Sequence, residues 1–253
     1  MYQYNRNGRR WYYKDGKWYI SVTEFVKNSL PTPVHLQQWY KDNSAEHINE
    51  VLKETSDYGT RFHAHVEELL NTGYIEVTPD MNERMMIHLA AAAQFLHDYE
   101  VKPIEVEKRV SWDSDQEFPV NFAGTVDLIA NTNKGPAIID FKTGNVQEAH
   151  KYQMMCYALA YAQNTGDESW YNAQMINVRP KEWWKAPSYE AKTWKVTNED
   201  WGKLSAMCRI YDFELPKDIL IFKEFKLGSQ PQYQTIEVEK WINQQKSEID
   251  FVN

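Results

Sequence analysis

The spacing of apolar residues changes near the middle of the chain, and that change sorts its elements. Between residues 22 and 99 apolar positions recur at helical intervals, predicting helices over 22–28, 34–42, 59–71 and 79–99. Ser21 or Thr23 can cap the first, Pro31 and Pro33 precede the second, and Gly73 ends the third. After Pro103 the period drops to two. Ile104, Val106, Val110 and Trp112 alternate with Glu105, Glu107, Arg109 and Ser111, as in a strand with one buried face. Further strands are predicted over 118–130 and 137–142, joined by a turn over 131–135, and later over 170–178 and 191–196. Helices over 147–163, 198–211 and 235–246 complete the pattern, and residues 9–20 form a hairpin turning on Asp15-Gly16. The predicted fold class is α/β: a mixed β-sheet flanked by helices, with a helical N-terminal region.

A chain of 253 residues is long enough to bury a substantial core as one domain. No apolar run approaches the ~20 residues of a membrane span, and no apolar stretch follows the first basic residues as in a secretory signal. The expected setting is therefore cytoplasmic, without a membrane. Cys156 and Cys208 lie outside any CxxC pair and are expected to be buried free thiols. Structural zinc and iron–sulfur clusters, which normally need four mostly cysteine ligands, are not expected.

A formal net charge of −8 argues at first against a nucleic-acid partner, but its distribution is uneven. Residues 1–20 carry five cations against Asp15 alone, and residues 179–195 carry five against Glu182 and Glu190. Both stretches are rich in rings: Trp11, Tyr12, Tyr13, Trp18 and Tyr19 in the first, Trp183, Trp184, Tyr189 and Trp194 in the second. Cations interleaved with flat rings can hold a single strand, charge following phosphates and rings stacking on bases. The alternative is edge strands whose rings pack on the core while their charges face water.

Residues 124–160 carry the chemistry. In Ile138-Ile139-Asp140-Phe141-Lys142 an apolar strand presents an acid and a lysine on one face, with Phe141 on the other. Asp127 leaves the preceding strand, and antiparallel pairing through the turn near Asn133 can bring it to Asp140. Two carboxylates and an ammonium at a sheet edge suit phosphodiester hydrolysis. The acids can hold Mg²⁺ or Mn²⁺, and the lysine can orient water or balance charge on the phosphate. A plain Asp140–Lys142 salt bridge at a strand end is the other interpretation of that spacing.

Asp127, then Asp140-Phe141-Lys142-Thr143-Gly144, then Gln153 and Tyr157 resemble the signature of the PD-(D/E)XK nuclease superfamily. The order G-x-x-D, D-x-K-T-G, Q-x-x-x-Y is similar to its RecB-like branch, as is the upstream G-x-x-x-H-x-x-x-E element of Gly59, His63 and Glu67. Ser21-Val22-Thr23 and Trp39-Tyr40 add a weaker similarity to the mitochondrial genome maintenance exonuclease and related phage enzymes. The resemblance implies a restriction-endonuclease-like core and one nuclease domain over 1–253. Residues 1–99 would form its hairpin and helical wall, 100–215 the catalytic core, and 216–253 a C-terminal extension. It implies that Asp127, Asp140 and Lys142 are catalytic, and that His63, Asp127, Asp140 and the Phe141 backbone carbonyl bind Mg²⁺ or Mn²⁺. Glu67, Gln153 and Tyr157 would support the site or hold DNA, with Trp183 and Trp184 as candidate DNA contacts. Glu105 and Glu107 share a strand face in the simple alternation, and Glu107 fits the branch's first-strand acid better.

The implied activity is exonucleolytic, on single-stranded DNA ends. The rivals are a structure-selective or double-strand-specific endonuclease, and a non-cleaving DNA-binding module of a phage recombination or packaging assembly. A recombination or replication protein is a candidate partner. The compartment would be the bacterial cytoplasm, or the host cytoplasm if the protein is phage-encoded.

Overall fold

The computed structural model describes residues 1–6, 8–79, 81–212, 214–216, 218–224 and 232–237. Its contacts separate two compact units, Met1–Tyr19 with Asp212–Asn253, and Ile20–Tyr211.

In the smaller unit β1 (Tyr2–Arg6) pairs antiparallel with β2 (Arg9–Lys14), and β2 leads into β3 (Lys17–Ser21). Asp15 and Gly16 both have positive φ, 48° and 78°, the geometry of the tight hairpin turn expected of Asp-Gly. The rings here serve packing. Trp18 sits edge-on to Tyr4, Trp11 and Tyr13 at centroid distances of 5.5, 6.3 and 4.9 Å. β9 (Asp218–Glu224) and β10 (Gln232–Glu237) form an antiparallel pair. Residues 235–237 are thus strand where the sequence predicts helix; the rest of that predicted helix lies outside the described residues.

In the larger unit Ser21 caps α1 (Val22–Ser29), accepting from the Glu24 amide at 3.1 Å. α2 spans Val34–Asp42 and α3 spans Ala45–Thr72. α3 begins at Ala45, well before the predicted residue 59, because its first turns bury nothing. Ile48, Val51 and Leu52 recur there at helical spacing but stay half-buried or exposed, while Ser44 supplies the cap and only Tyr58, Phe62 and Val66 are buried. α4 (Glu83–Asp98) starts from Asn82.

β4 (Lys102–Trp112) pairs antiparallel with β5 (Phe122–Thr132), which pairs antiparallel with β6 (Gly135–Phe141). β5 starts later than predicted. The Asp115 carboxylate accepts from the Glu117 and Phe118 amides at 2.9 and 2.6 Å and folds that approach into a turn. α5 (Glu148–Thr165) then crosses over, so that β7 (Gln174–Lys181) runs parallel to β6, and β8 (Ser188–Thr193) closes antiparallel. Residues 168–172 are a 3-10 turn capped by Asp167 rather than the start of β7. Ile20 and Ser21 pair in parallel with Phe122 and Ala123. α6 (Asn198–Ile210) ends the unit.

The result is the predicted α/β class, a mixed sheet flanked by helices, consistent with a restriction-endonuclease-like core. One apolar cluster joins Phe62 and Val66 of α3, Leu89 and Phe95 of α4, and Ile139, Phe141 and Val178 of the sheet. α5 is buried along Tyr152–Ala162, as befits a helix apolar all round. Cys156 and Cys208 are buried free thiols, and burial pushes both thiols up. No described helix is long and apolar enough to cross a membrane.

Candidate functional site

The site begins where β5 and β6 part. Their pairing runs from Thr132↔Gly135 to Leu128↔Ile139. One residue further, the Asp127 carboxylate takes the Phe141 amide at 2.7 Å, so a side chain stands in for a ladder bond. The same carboxylate oxygen lies 3.2 Å from His63 Nδ1, contributed by α3. Phe62, buried beside it in the core, anchors that turn of the helix. Glu107 of β4 completes a triangle: one ligand atom each from His63, Glu107 and Asp127 lie within 4.8 Å of one another.

Glu107 has φ 49°, in the left-handed region that a glutamate rarely adopts. The distortion interrupts the two-residue alternation by which Glu105 and Glu107, the latter preferred, are expected to share a strand face. Glu105 accepts from the Tyr161 hydroxyl at 3.1 Å and pairs with Lys108, whereas Glu107 joins the triangle.

Charge is crowded here. Burial and then the Asp127 carboxylate push Glu107 up to about 7. Burial works against the His63 imidazolium, but the charge and hydrogen bond of Asp127 outweigh it and raise His63 to about 9. Burial would also raise Asp127, yet His63 and Lys142 bring it below its ordinary value. Asp140 is held above its ordinary value, chiefly by burial, despite Lys142. One imidazole nitrogen and two carboxylate oxygens converging at this spacing fit a hard divalent cation, whose charge would relieve the crowding.

The second half of the site is a chain of polar contacts through the sheet. Lys142 Nζ lies 2.8 Å from Asp140 Oδ2, so the salt bridge expected from the DxK spacing is present beside the triangle. Asn177 faces Asp140 across the parallel β6–β7 pair and donates to its Oδ2 at 2.7 Å. The Trp194 indole donates to Asn177 Oδ1 at 2.6 Å. Both ends of the buried Asn177 amide are therefore used, and Asp140 is locked in one rotamer.

With this geometry in view, comparison with protein families is decisive: the model of the PD-(D/E)XK nuclease superfamily matches residues 4–249. The chain belongs to that superfamily. No curated protein matches it. Family membership implies a DNA substrate and a chemistry that typically uses divalent metals, for which the His63–Glu107–Asp127 group is the candidate centre.

The remaining residues of this nuclease fall into place around that centre. Glu67, one turn beyond His63, is exposed and stands outside the triangle, though its charge helps raise Glu107. Gln153 and Tyr157 are buried and bonded to each other, amide to phenol, at 3.0 Å. The Tyr157 ring lies directly over Gly124, where a Cβ would meet Cε1 at 2.7 Å. Trp183 donates to the Ile87 carbonyl at 3.1 Å and is pinned to α4, while Trp184 is 95% exposed. Asn177 and Trp194 escaped the sequence reading of the site. The available signal was one amide within Met175-Ile176-Asn177-Val178, a polar break in an apolar strand.

Proposed function

We propose that this nuclease is a Mg²⁺- or Mn²⁺-dependent deoxyribonuclease of the RecB-like branch, organised as one nuclease domain and acting as an exonuclease on single-stranded DNA ends. The observation that carries this reading is the meeting of His63, Glu107 and Asp127 within 4.8 Å, next to the Asp140–Lys142 pair. His63, Asp127, Asp140 and the Phe141 carbonyl would hold the cation, with Glu107 as the first-strand acid. Bound there, a divalent cation supplies Lewis-acid polarisation of the phosphodiester and neutralises its charge.

Everything else is done by the chain. Lys142 orients the attacking water and balances negative charge that grows on the phosphate. Asn177 and Trp194 keep Asp140 aimed, so no rotamer has to be ordered during reaction. Gln153 and Tyr157 brace the site from α5, Glu67 adds negative potential, and Trp183 anchors a loop that offers Trp184 for stacking on a base. Preference for a single strand is supported by His63 reaching the site from α3, a helix outside the sheet. A site flanked in this way suits a flexible strand, and a strand that threads needs an end. A recombination or replication protein that exposes such ends is the fitting partner.

The test is digestion of end-labelled linear and covalently closed single strands of one sequence in Mg²⁺ or Mn²⁺. The linear form should be lost and the circle spared. Asp127→Ala, Asp140→Ala and Lys142→Ala should each abolish cleavage in folded protein, because each removes a group acting in the transition state. Cutting of circles as fast as linear strands would replace the exonuclease by an endonuclease, and an active Lys142→Ala protein would refute its role.

A further inference from the structure

A cavity of about 680 Å³ lies beside Lys142, walled by α1, the α1–α2 connection, α2 and the first turns of α5. Its volume falls within the roughly 300–1,000 Å³ range of small-ligand sites. Most of its wall is apolar, from Val26, Leu30, Leu36 and Tyr152, with the half-exposed Tyr40 also lining it. Polar groups contribute the smaller part of the wall, those of Thr23 and Thr32 among them. Lys142 and Lys27 are its ammonium groups, while Gln147, His150 and Gln153 offer groups that hydrogen-bond without carrying charge. Glu148, its acidic lining residue, is paired with Lys151.

We propose that this cavity seats one base of the substrate strand next to the scissile phosphate, an inference that rests on the nuclease reading of the Lys142 site. Three features favour a base over a bare phosphate. A phosphate pressed on Val26, Leu30 and Leu36 would lose its water without gaining partners, whereas a flat apolar ring gains from that wall. Neutral amide groups match the edges of a base. The two ammonium groups suit the phosphates on either side of it. Continuity with the reacting centre settles which base: Lys142 belongs both to the cavity wall and to the ion pair with Asp140. The base therefore belongs to a nucleotide flanking the bond that is cut. Tyr40 is placed to stack on it.

The test uses the full chain, with Mn²⁺ and single-stranded oligonucleotides carrying one abasic residue at successive positions near the cut. Single-turnover cleavage should fall about tenfold or more at a single position next to the scissile phosphate, the loss expected for one stacked base. Leu36→Trp, on a solvent-facing helix, fills the cavity; Tyr40→Ala removes its ring. In either protein, checked for native circular dichroism, cleavage of intact DNA should fall while the abasic penalty shrinks toward unity, because both changes remove the same contact. A uniform response to abasic position in a cleaving wild-type enzyme would overturn this inference and leave the nuclease reading standing. So would a full abasic penalty in both variants. No cleavage of any DNA would overturn the nuclease reading itself, and this inference with it.

Discussion

Two glycines belong to the motifs that flank this site, and the fold gives them opposite roles. Gly124 lies beneath Tyr157: an alanine Cβ there would meet Cε1 at 2.7 Å, with Cζ and Oη next at 3.5 Å. Tyr157 cannot swing aside cheaply, because its ring is buried on α5 and its hydroxyl is bonded to Gln153 at 3.0 Å. Gly124→Ala therefore overpacks the contact, costing about 1–3 kcal/mol, and moves the phenol off its partner, costing about 1 kcal/mol more. At 2–4 °C per kcal/mol for a chain of this size, Tm should fall by about 4–16 °C. Gly59 is the internal control. It sits inside α3, where a Cβ would stand 3.7 Å from Thr143 Oγ1, an ordinary contact. Gly59→Ala should therefore stabilise by roughly 0.5–1 kcal/mol through the lower entropy of the unfolded chain. Differential scanning calorimetry of both variants reads the signs directly, and adding Tyr157→Leu to Gly124→Ala should recover part of the loss. A Gly124→Ala protein melting within about 1 °C of wild type would refute the packing argument, because even the lower bound shifts Tm by more.

Other outcomes follow from the same contacts. Asn177→Leu should cost about 1–3 kcal/mol of stability by stranding the Trp194 indole and leaving Asp140 Oδ2 to Lys142 alone, and slow cleavage more than it weakens DNA binding; equal kcat in both proteins would remove Asn177 from the site. His150 is brought down to about 4, by burial and then by Lys142 and Lys192, and its neutral Nδ1 accepts from the Gln147 amide at 3.1 Å. Because the unfolded chain binds that proton first, near its ordinary 6.5, the contribution to stability is present above that pH. It is lost as pH falls toward 4, by about 1–2 kcal/mol at pH 5 after allowing for partial exposure. His150→Gln should flatten that part of a urea-stability profile against pH, and an unchanged profile would refute the assignment. Trp184→Ala should weaken single-strand binding by about 1–3 kcal/mol in fluorescence anisotropy, while Trp183→Ala should chiefly lower Tm; the reverse pattern would exchange their roles.

The sequence by itself determined the class of fold, because a change of hydrophobic period from helical to alternating can be read without contacts. It determined the hairpin at Asp15-Gly16, where backbone handedness selects the residues, and the whole of α2 (Val34–Asp42). It also determined that Asp140 and Lys142 share a face, since a strand's alternation is local. Elsewhere local rules ran out. The first turns of α3 carry Ile48, Val51 and Leu52 at helical spacing yet bury none of them fully, so their place in one long helix rests on the Ser44 cap and continuity with the packed half. The separation of Glu105 from Glu107 depended on a left-handed residue in mid-strand, which no alternation rule anticipates. Asn177 became part of the site only through parallel pairing with Asp140, a contact made across α5 and 37 residues of chain. The same holds for Gly124 beneath Tyr157 and for the cavity beside Lys142. Each depends on residues distant in sequence meeting at a definite distance. Composition and spacing carry residue type and period; only packing of the finished fold carries distance.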